Sequence, residues 1–198
     1  DEVFGSLPLG GGKFSEDSCY SPRSPYAASK AASDHLVRAY YETFGLPITI
    51  TNCSNNFGPY QHPEKMIPRS IINLIQGGWY TVVYGDGKHV RDWLYVEDHV
   101  RGIDFVLDKG KIGDSYLMGG LNSEINNLEL VSKLEQIFAV KAPAKSIEDR
   151  LGNDRRYAVD WSKIKKELGW EPKYGFDSGL AITVDWYKNN VSWWQPLV

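Results

Sequence analysis

The feature that most constrains this chain is the order in which two periodicities alternate along it. Short runs rich in β-branched and aromatic residues, "ITITNC", "TVVY", "RDWLYV" and "SYLMGG", are spaced between longer segments with apolar residues at helical intervals. The helical segments carry their own boundaries. "SPYAASKAASDHLVRAYYETFGLP" stops at Gly45 with Pro47 beyond it, "EKMIPRSIINLIQGG" is a shorter helix, and "EDHVRGIDFVLDKG" closes on Gly110. "NNLELVSKLEQIF" opens on an Asn cap, "DWSKIKKELGW" is read with Asp160 as its cap and Gly169 as its end, and a last helix lies in "GLAITVDWYKNN". Strands alternating with helices predict an α/β protein with at least some parallel sheet. "DEVFG" reads as the end of a strand, "GDGK" as a turn between "TVVY" and "RDWLYV", and the Asn-rich stretch after "ITITNC" as a loop.

Between "DEVFG" and the first helix, "GSLPLGGGKFSEDSCYSPRSP" is dense in Gly, Pro and Ser and predicts a long surface loop, a class that is often functional. The 198 residues, 42% hydrophobic and 24% charged, suit one substantial core or two small ones. A net charge of -3 with interspersed signs excludes nucleic-acid or membrane-surface binding by bulk electrostatics, so an anionic partner must be met locally. No apolar run is long enough to span a bilayer and no signal-peptide pattern stands at the start, which makes a cytoplasmic location the expectation. Cys19 and Cys53 lack metal-type spacing and read as reduced thiols. His35, His62, His89 and His99 are scattered, so no metal site is expected, and the tryptophans, Trp193 and Trp194 among them, read as packing.

Tyr26 and Lys30 stand four apart at the start of the first helix, on one face and about one turn from each other. An ammonium beside a phenol favours the phenolate, and the positive end of a helix acts in the same direction, so the pair suits acid/base work. Taken alone, the same spacing also arises by chance on ordinary helices.

The surrounding stretches narrow the choice. "DEVFG", "SPYAASKAASDHLVRAY", "NNFGPYQHPEKMIP", "VYGDGKHVRDWLYVEDH", "GNDRRYAVD" and "KELGWEP" follow one another over nearly the whole chain. In that order they resemble the extended short-chain dehydrogenase/reductase family, and more closely the nucleotide-sugar 4,6-dehydratases of the dTDP-glucose type. The resemblance implies a Rossmann-type parallel sheet, lacking its amino-terminal strands here, with a smaller carboxyl-terminal α/β substrate domain. Residues 1–57, with a return near 115–120, would belong to the NAD-binding domain and 58–198 mainly to the sugar-nucleotide domain. It also implies bound NAD, a dTDP-glucose substrate and a homodimer, with the helix that starts at Tyr26 at the interface.

The resemblance assigns roles. Tyr26, assisted by Lys30, would take the C4 hydroxyl proton while hydride passes to NAD; Glu2 would take the C5 proton, and Asp1 would protonate the leaving C6 hydroxyl. Two adjacent carboxylates fit a reaction that needs a base and an acid side by side, which epimerases do not. Neighbours in a strand point to opposite faces, so both reach one sugar only where the strand ends, where ligands of open parallel sheets bind. Asn56 would contact the cofactor and Asn55 the sugar nucleotide. Lys65 and Met66 would line the nucleotide pocket, Val82, Val83 and Tyr84 would flank the base, and Asn122 would reach the nucleotide. Arg91 suits the diphosphate, which a guanidinium grips through parallel hydrogen bonds; the alternative is a strand-edge pair with Asp92. By the same resemblance Asp149, Arg150 and Asn153 would belong to a final substrate loop, but "DRLGN" departs from the Pro and His of many relatives, and "GGWYTVV" is longer by a residue than the usual connection.

A dinucleotide-binding enzyme should open with a strand, a Gly-rich turn and a helix whose amino end receives the pyrophosphate. "LGGGKF", "GDGKHV" and "MGGLNS" all lack that spacing. The expectation is therefore a carboxyl-terminal part of a larger enzyme, inactive alone. A sister activity (GDP-mannose dehydratase, UDP-glucuronate decarboxylase or epimerase) and a fragment with only a scaffolding role are the alternatives.

Overall fold

The structure is a computed structural model that describes residues 1–121 and 124–198. Glu2–Phe4 forms one 3-10 turn and precedes the long loop. There follow α1 (Pro25–Phe44), β1 (Ile50–Cys53), β2 (Asn55–Phe57), α2 (Met66–Ile75), β3 (Thr81–Tyr84), β4 (Val90–Tyr95) and α3 (Val96–Lys109). The remainder is β5 (Ser115–Met118), β6 (Glu124–Asn126), α4 (Asn127–Phe138), β7 (Ala144–Ile147), α5 (Ser162–Leu168), α6 (Phe176–Asn189) and the short α7 (Val191–Trp194).

Among the described residues the strands form three small sheets of mostly parallel character, which is the α/β class expected. β1 pairs in parallel with β5, from Ile50 against Ser115 to Cys53 against Met118. β2 pairs in parallel with β4, and β6 adds antiparallel on the other side of β4. β3 pairs in parallel with β7. β3 and β4 flank the "GDGK" turn but belong to different sheets, so the turn connects layers instead of closing a hairpin.

Local signals explain the helix ends. Ser24 Oγ accepts from the Ala27 N–H, Pro25 occupies the first turn, and Gly45 closes α1 in the left-handed conformation. Asn126 and Glu129 form a reciprocal capping box on α4. The reading of Asp160 as the cap of α5 shifts by one residue: Trp161 holds the cap position, and Asp160 Oδ1 accepts from the Ser162 N–H at 2.9 Å. Two further readings change. "DEVFG" is a single 3-10 turn rather than strand, with the Asp1 nitrogen donating to the Cys53 carbonyl at the end of β1. Asn55 and Asn56 lie in β2, not in a loop, because Asn55–Phe57 finds a parallel partner in Trp93–Tyr95.

Three apolar clusters among the described residues hold these layers. The largest packs α2, α4 and α6 against β2 and β4 through Phe57, Ile71, Tyr95, Leu134, Leu180 and Tyr187. A second joins Val3, Phe4 and Phe14 to Ala31 of α1, Leu117 of β5 and Tyr157. A third fits α3 and α5 to β5 through Val106, Met118, Ile164 and Trp170. Gly102 on α3 makes that last approach possible, since a Cβ there would stand 2.2 Å from Met118 Sδ and 3.0 Å from Trp170 Nε1. Alanine would normally strengthen a helix by about 1 kcal/mol over glycine. Here Gly102→Ala is expected to destabilise the fold by about 1–3 kcal/mol through overpacking, read as a lower urea midpoint. A stabilised variant would show that the contact relaxes freely.

Candidate active site

The elements converge on the carboxyl end of β1. α1 can lie close to the Glu2–Phe4 turn because it presents small side chains, Ala27 and Ala31, to the interior. That leaves Tyr26 and Lys30 on its exposed side, Tyr26 at 63%. One further turn along the same stripe, Asp34 ties the helix to its surroundings. Its Oδ2 accepts from Tyr20 Oη at 2.8 Å and from Asn52 Nδ2 of β1 at 2.9 Å. Burial, then the bond to Asp34, pushes Tyr20 up to about 12, so it remains a donor throughout the working pH range. The Asp1 nitrogen donates to the Cys53 carbonyl at 2.9 Å, which sets the adjacent carboxylates Asp1 and Glu2 at the end of β1 and beside α1.

β2, the residue before the 3-10 turn and the loop after β2 contribute buried acceptors without protein partners among the described residues. Asp1 Oδ2, Asn55 Oδ1, Asn56 Oδ1 and Gln61 Oε1 are all of this kind. Asn56 uses its amide nitrogen on Cys53 Sγ and the Ser54 carbonyl, both at 3.1 Å, and Gln61 Nε2 donates to the Asn56 carbonyl at 2.9 Å. Buried acceptors are normally satisfied, so this cluster suits a ligand rich in N–H or O–H donors.

A second group gathers around β4. Arg91 is buried, lies with its guanidinium carbon 4.5 Å from the centre of the Tyr157 ring, and donates to Asn153 Oδ1 and the Val90 carbonyl, each at 2.9 Å. Asp92 points to the other side of the strand and accepts from the Gly120 N–H at 3.0 Å, so the Arg91 bonds run to Val90 and Asn153 rather than to its neighbour. Burial lowers the Arg91 pKa; the Tyr157, Glu2 and Asp154 charges oppose that shift and Arg150 adds to it. A guanidinium remains charged at pH 7 under such a shift. Asn153 Nδ2 donates to Asp149 Oδ1 at 2.7 Å, as does the Arg150 N–H at 2.8 Å, and the Arg150 guanidinium lies 4.9 Å over the Tyr84 ring. The structure thus brings together Glu2, Tyr84, Arg91, Asp149, Arg150 and Asn153.

Other candidates stand differently. Val82 and Tyr84 share one face of β3, whereas the Val83 side chain enters the core and leaves its backbone alone toward that face. Lys65 is exposed and pairs with Glu64 at 2.9 Å at the start of α2, and Met66 packs partly on the large core. Asn122 lies outside the described residues. Sequence reasoning missed Tyr157, which supports Arg91, and Asp154. Asp154 accepts from Tyr157 Oη at 2.6 Å and from Arg23 at 3.1 Å. The compact "NDRRY" stretch was the available signal, since an aromatic beside clustered charges can carry a stacked cation. Among the described residues no three His, Cys, Asp or Glu side chains stand together as a metal site would require, and no helix is long and apolar enough to cross a membrane.

A model of the GDP-mannose 4,6 dehydratase family matches residues 1–183. The chain belongs to that family. Within it, the chain is 52% identical over its whole length to dTDP-glucose 4,6-dehydratase of Xanthomonas campestris pv. campestris strain B100, covering 58% of that protein. It is 47% identical to the enzyme of the same name from Neisseria meningitidis serogroup B, covering 59% of it. The crystal structure of DesIV, a dTDP-glucose 4,6-dehydratase from Streptomyces venezuelae with NAD and TYD bound, superposes with a TM-score of 0.94 at 47% identity. It is covered by 100% of this chain over 60% of its own length. A UDP-glucuronic acid 4-epimerase from Bacillus cereus, in complex with UDP-glucuronic acid and NAD, superposes at 0.89 with 29% identity over 95% of this chain and 59% of its own. The chain therefore spans about three fifths of these members of the 4,6 dehydratase and epimerase group.

Proposed function

We propose that this chain carries the elimination residues and the nucleotide-sugar cradle of an NAD-dependent dTDP-glucose 4,6-dehydratase. The carrying observation is the place of Glu2 in a turn whose Asp1 nitrogen bonds the Cys53 carbonyl at the end of β1 and whose Val3 and Phe4 pack with Ala31 of α1 and with Tyr157, the ring beside Arg91. This packing supports reading Glu2 as the base for elimination, between the helix of Tyr26 and Lys30 and the arginine read as the diphosphate grip. The similarity to named dTDP-glucose 4,6-dehydratases supports the sugar nucleotide, and DesIV with NAD bound supports the cofactor.

Asn56 fits NAD, because its buried Oδ1 leaves an acceptor for a donor such as the nicotinamide carboxamide. Bound NAD would supply the redox chemistry, as the acceptor of a hydride from C4 of the sugar and its donor to C6. The protein's own residues handle the protons. Tyr26 removes the C4 hydroxyl proton, and the Lys30 ammonium favours the resulting phenolate. The C4 ketone acidifies the C5 proton, which Glu2 removes while Asp1 protonates the departing C6 hydroxyl. One water is lost, and the proton held by Glu2 returns to C5 as C6 becomes a methyl group. Arg91 and Arg150 hold the diphosphate, Tyr84 and Val82 flank the base, and Asn55, Lys65, Met66, Asp149 and Asn153 complete the cradle.

A homodimer in the cytoplasm, serving deoxysugar synthesis such as that of rhamnose, completes the proposal. Leu36, Tyr40 and Phe44 expose apolar surface along α1, which suits a helix at such an interface. The test is incubation of dTDP-glucose, without added cofactor, with these 198 residues joined to a cofactor-binding half from one of the relatives. A dTDP-4-keto-6-deoxyglucose product is expected. A C4 epimer, or no turnover by a folded, NAD-loaded protein, would overturn the reading.

A further inference from the structure

His89 has no part in the reaction proposed above, yet it is buried, at 4% exposure, two residues before Arg91. Its Nε2 lies 3.2 Å from Asp149 Oδ2, while Nδ1 is buried without a partner among the described residues. The other oxygen of the same carboxylate accepts from Asn153, and Asn153 in turn accepts from Arg91. A continuous path therefore runs from His89 through Asp149 and Asn153 to the guanidinium.

Several details show that the path is built rather than incidental. Gly85, with φ of 55°, leaves room for it, since a Cβ there would stand 2.8 Å from Asp149 Oδ2. The carboxylate can thus settle over the turn. Burial lowers the His89 pKa; the Asp149 charge opposes this, whereas Arg91 and Arg155 add to it and Asp86 opposes it. The ring is then neutral at pH 7, with its proton on the nitrogen that faces Asp149 and a bare Nδ1. It serves as a fixed donor rather than as a charge. Asp149 is otherwise bonded within its own loop, to the Arg150 N–H and Asn153, so His89 is a contact that ties the loop to the approach of β4.

We propose that His89 is a positioning residue for the diphosphate grip: through Asp149 and Asn153 it sets the direction of the Arg91 guanidinium. This rests on the reading of Arg91 as the group that holds a nucleoside diphosphate. The test is equilibrium binding of dTDP and of thymidine to the protein, for wild type, His89→Gln, His89→Asn, Asn153→Ala and the His89→Asn/Asn153→Ala double variant. Gln places an amide where Nε2 stands, and Asn is too short to reach Asp149.

His89→Asn is expected to weaken dTDP about tenfold and to leave thymidine unchanged, while His89→Gln stays within about twofold of wild type. The double variant should bind no worse than Asn153→Ala, because residues on one path are not additive. Additive losses, equal weakening of thymidine and dTDP, or equal behaviour of the Gln and Asn variants would overturn the proposal. Arg91→Met separates the two levels. If it binds dTDP as tightly as wild type, the diphosphate reading fails and the relay with it; if it binds weakly while His89→Asn does not, the relay alone fails.

Discussion

Glu2→Gln is expected to lower turnover of dTDP-glucose by about 10²–10⁴-fold, the usual contribution of a positioned general base. The substitution keeps the size of the side chain and its place in the 3-10 turn, and Val3 and Phe4 beside it remain buried anchors. It removes the one property the proposed elimination needs, a carboxylate able to take the C5 proton. Oxidation at C4 does not use Glu2, so the variant, joined to a cofactor-binding half, should form reduced nicotinamide on mixing with substrate and then stall. Exchange of the C5 proton with deuterated solvent should fall in parallel with turnover. Unchanged exchange would remove Glu2 from the role of base. Loss of the first reduction as well would point instead to a disturbed site, since the Glu2 charge also acts on Arg91 and Tyr157.

The largest stability effect is expected at Asp98, a carboxylate with no exposed surface near the start of α3. Oδ2 accepts from the Lys173 and Tyr174 N–H groups, each at 2.9 Å, and Oδ1 accepts from Arg101 at 2.5 Å. Its carbonyl also accepts from Trp170 Nε1 at 3.1 Å, so a single residue holds the 170–174 segment against α3. Asp98→Ala leaves two backbone donors and a partly buried guanidinium without their acceptor. A loss of about 3–5 kcal/mol is expected, as when one partner of a buried ion pair is deleted. The urea midpoint with an unchanged slope is the measurement, and Asp98→Asn, which keeps one acceptor oxygen, should lose less. A loss below about 1 kcal/mol for the alanine variant would show that water reaches the vacated donors.

Much of the fold is legible locally. α1 announces itself through Ser24, Pro25 and Gly45, and α4 through the Asn126–Glu129 box, because the groups that satisfy helix ends lie within a few residues of them. The strands that escaped are those whose signal is not local. β6 has three residues, and β7 is exposed along Lys145, Ser146 and Ile147, so neither shows a clear alternation. β2 reads as a polar turn until Trp93–Tyr95 arrives from a distant part of the chain to pair with it.

The site divides in the same way. Residue type and order determined the candidates: a Tyr and a Lys one turn apart, two adjacent carboxylates, and an arginine in "HVRDW". These are choices of chemistry, and chemistry is written in side chains. Tertiary structure decided what each candidate faces. It placed Tyr157 under Arg91, Asn153 on its guanidinium from 62 residues away, and His89 behind Asp149. It also turned Val83 into the core while leaving Val82 and Tyr84 on the open face. Direction is a property of long-range pairing and packing, which no local periodicity encodes, so the sequence could name the reacting groups but not the contacts that aim them.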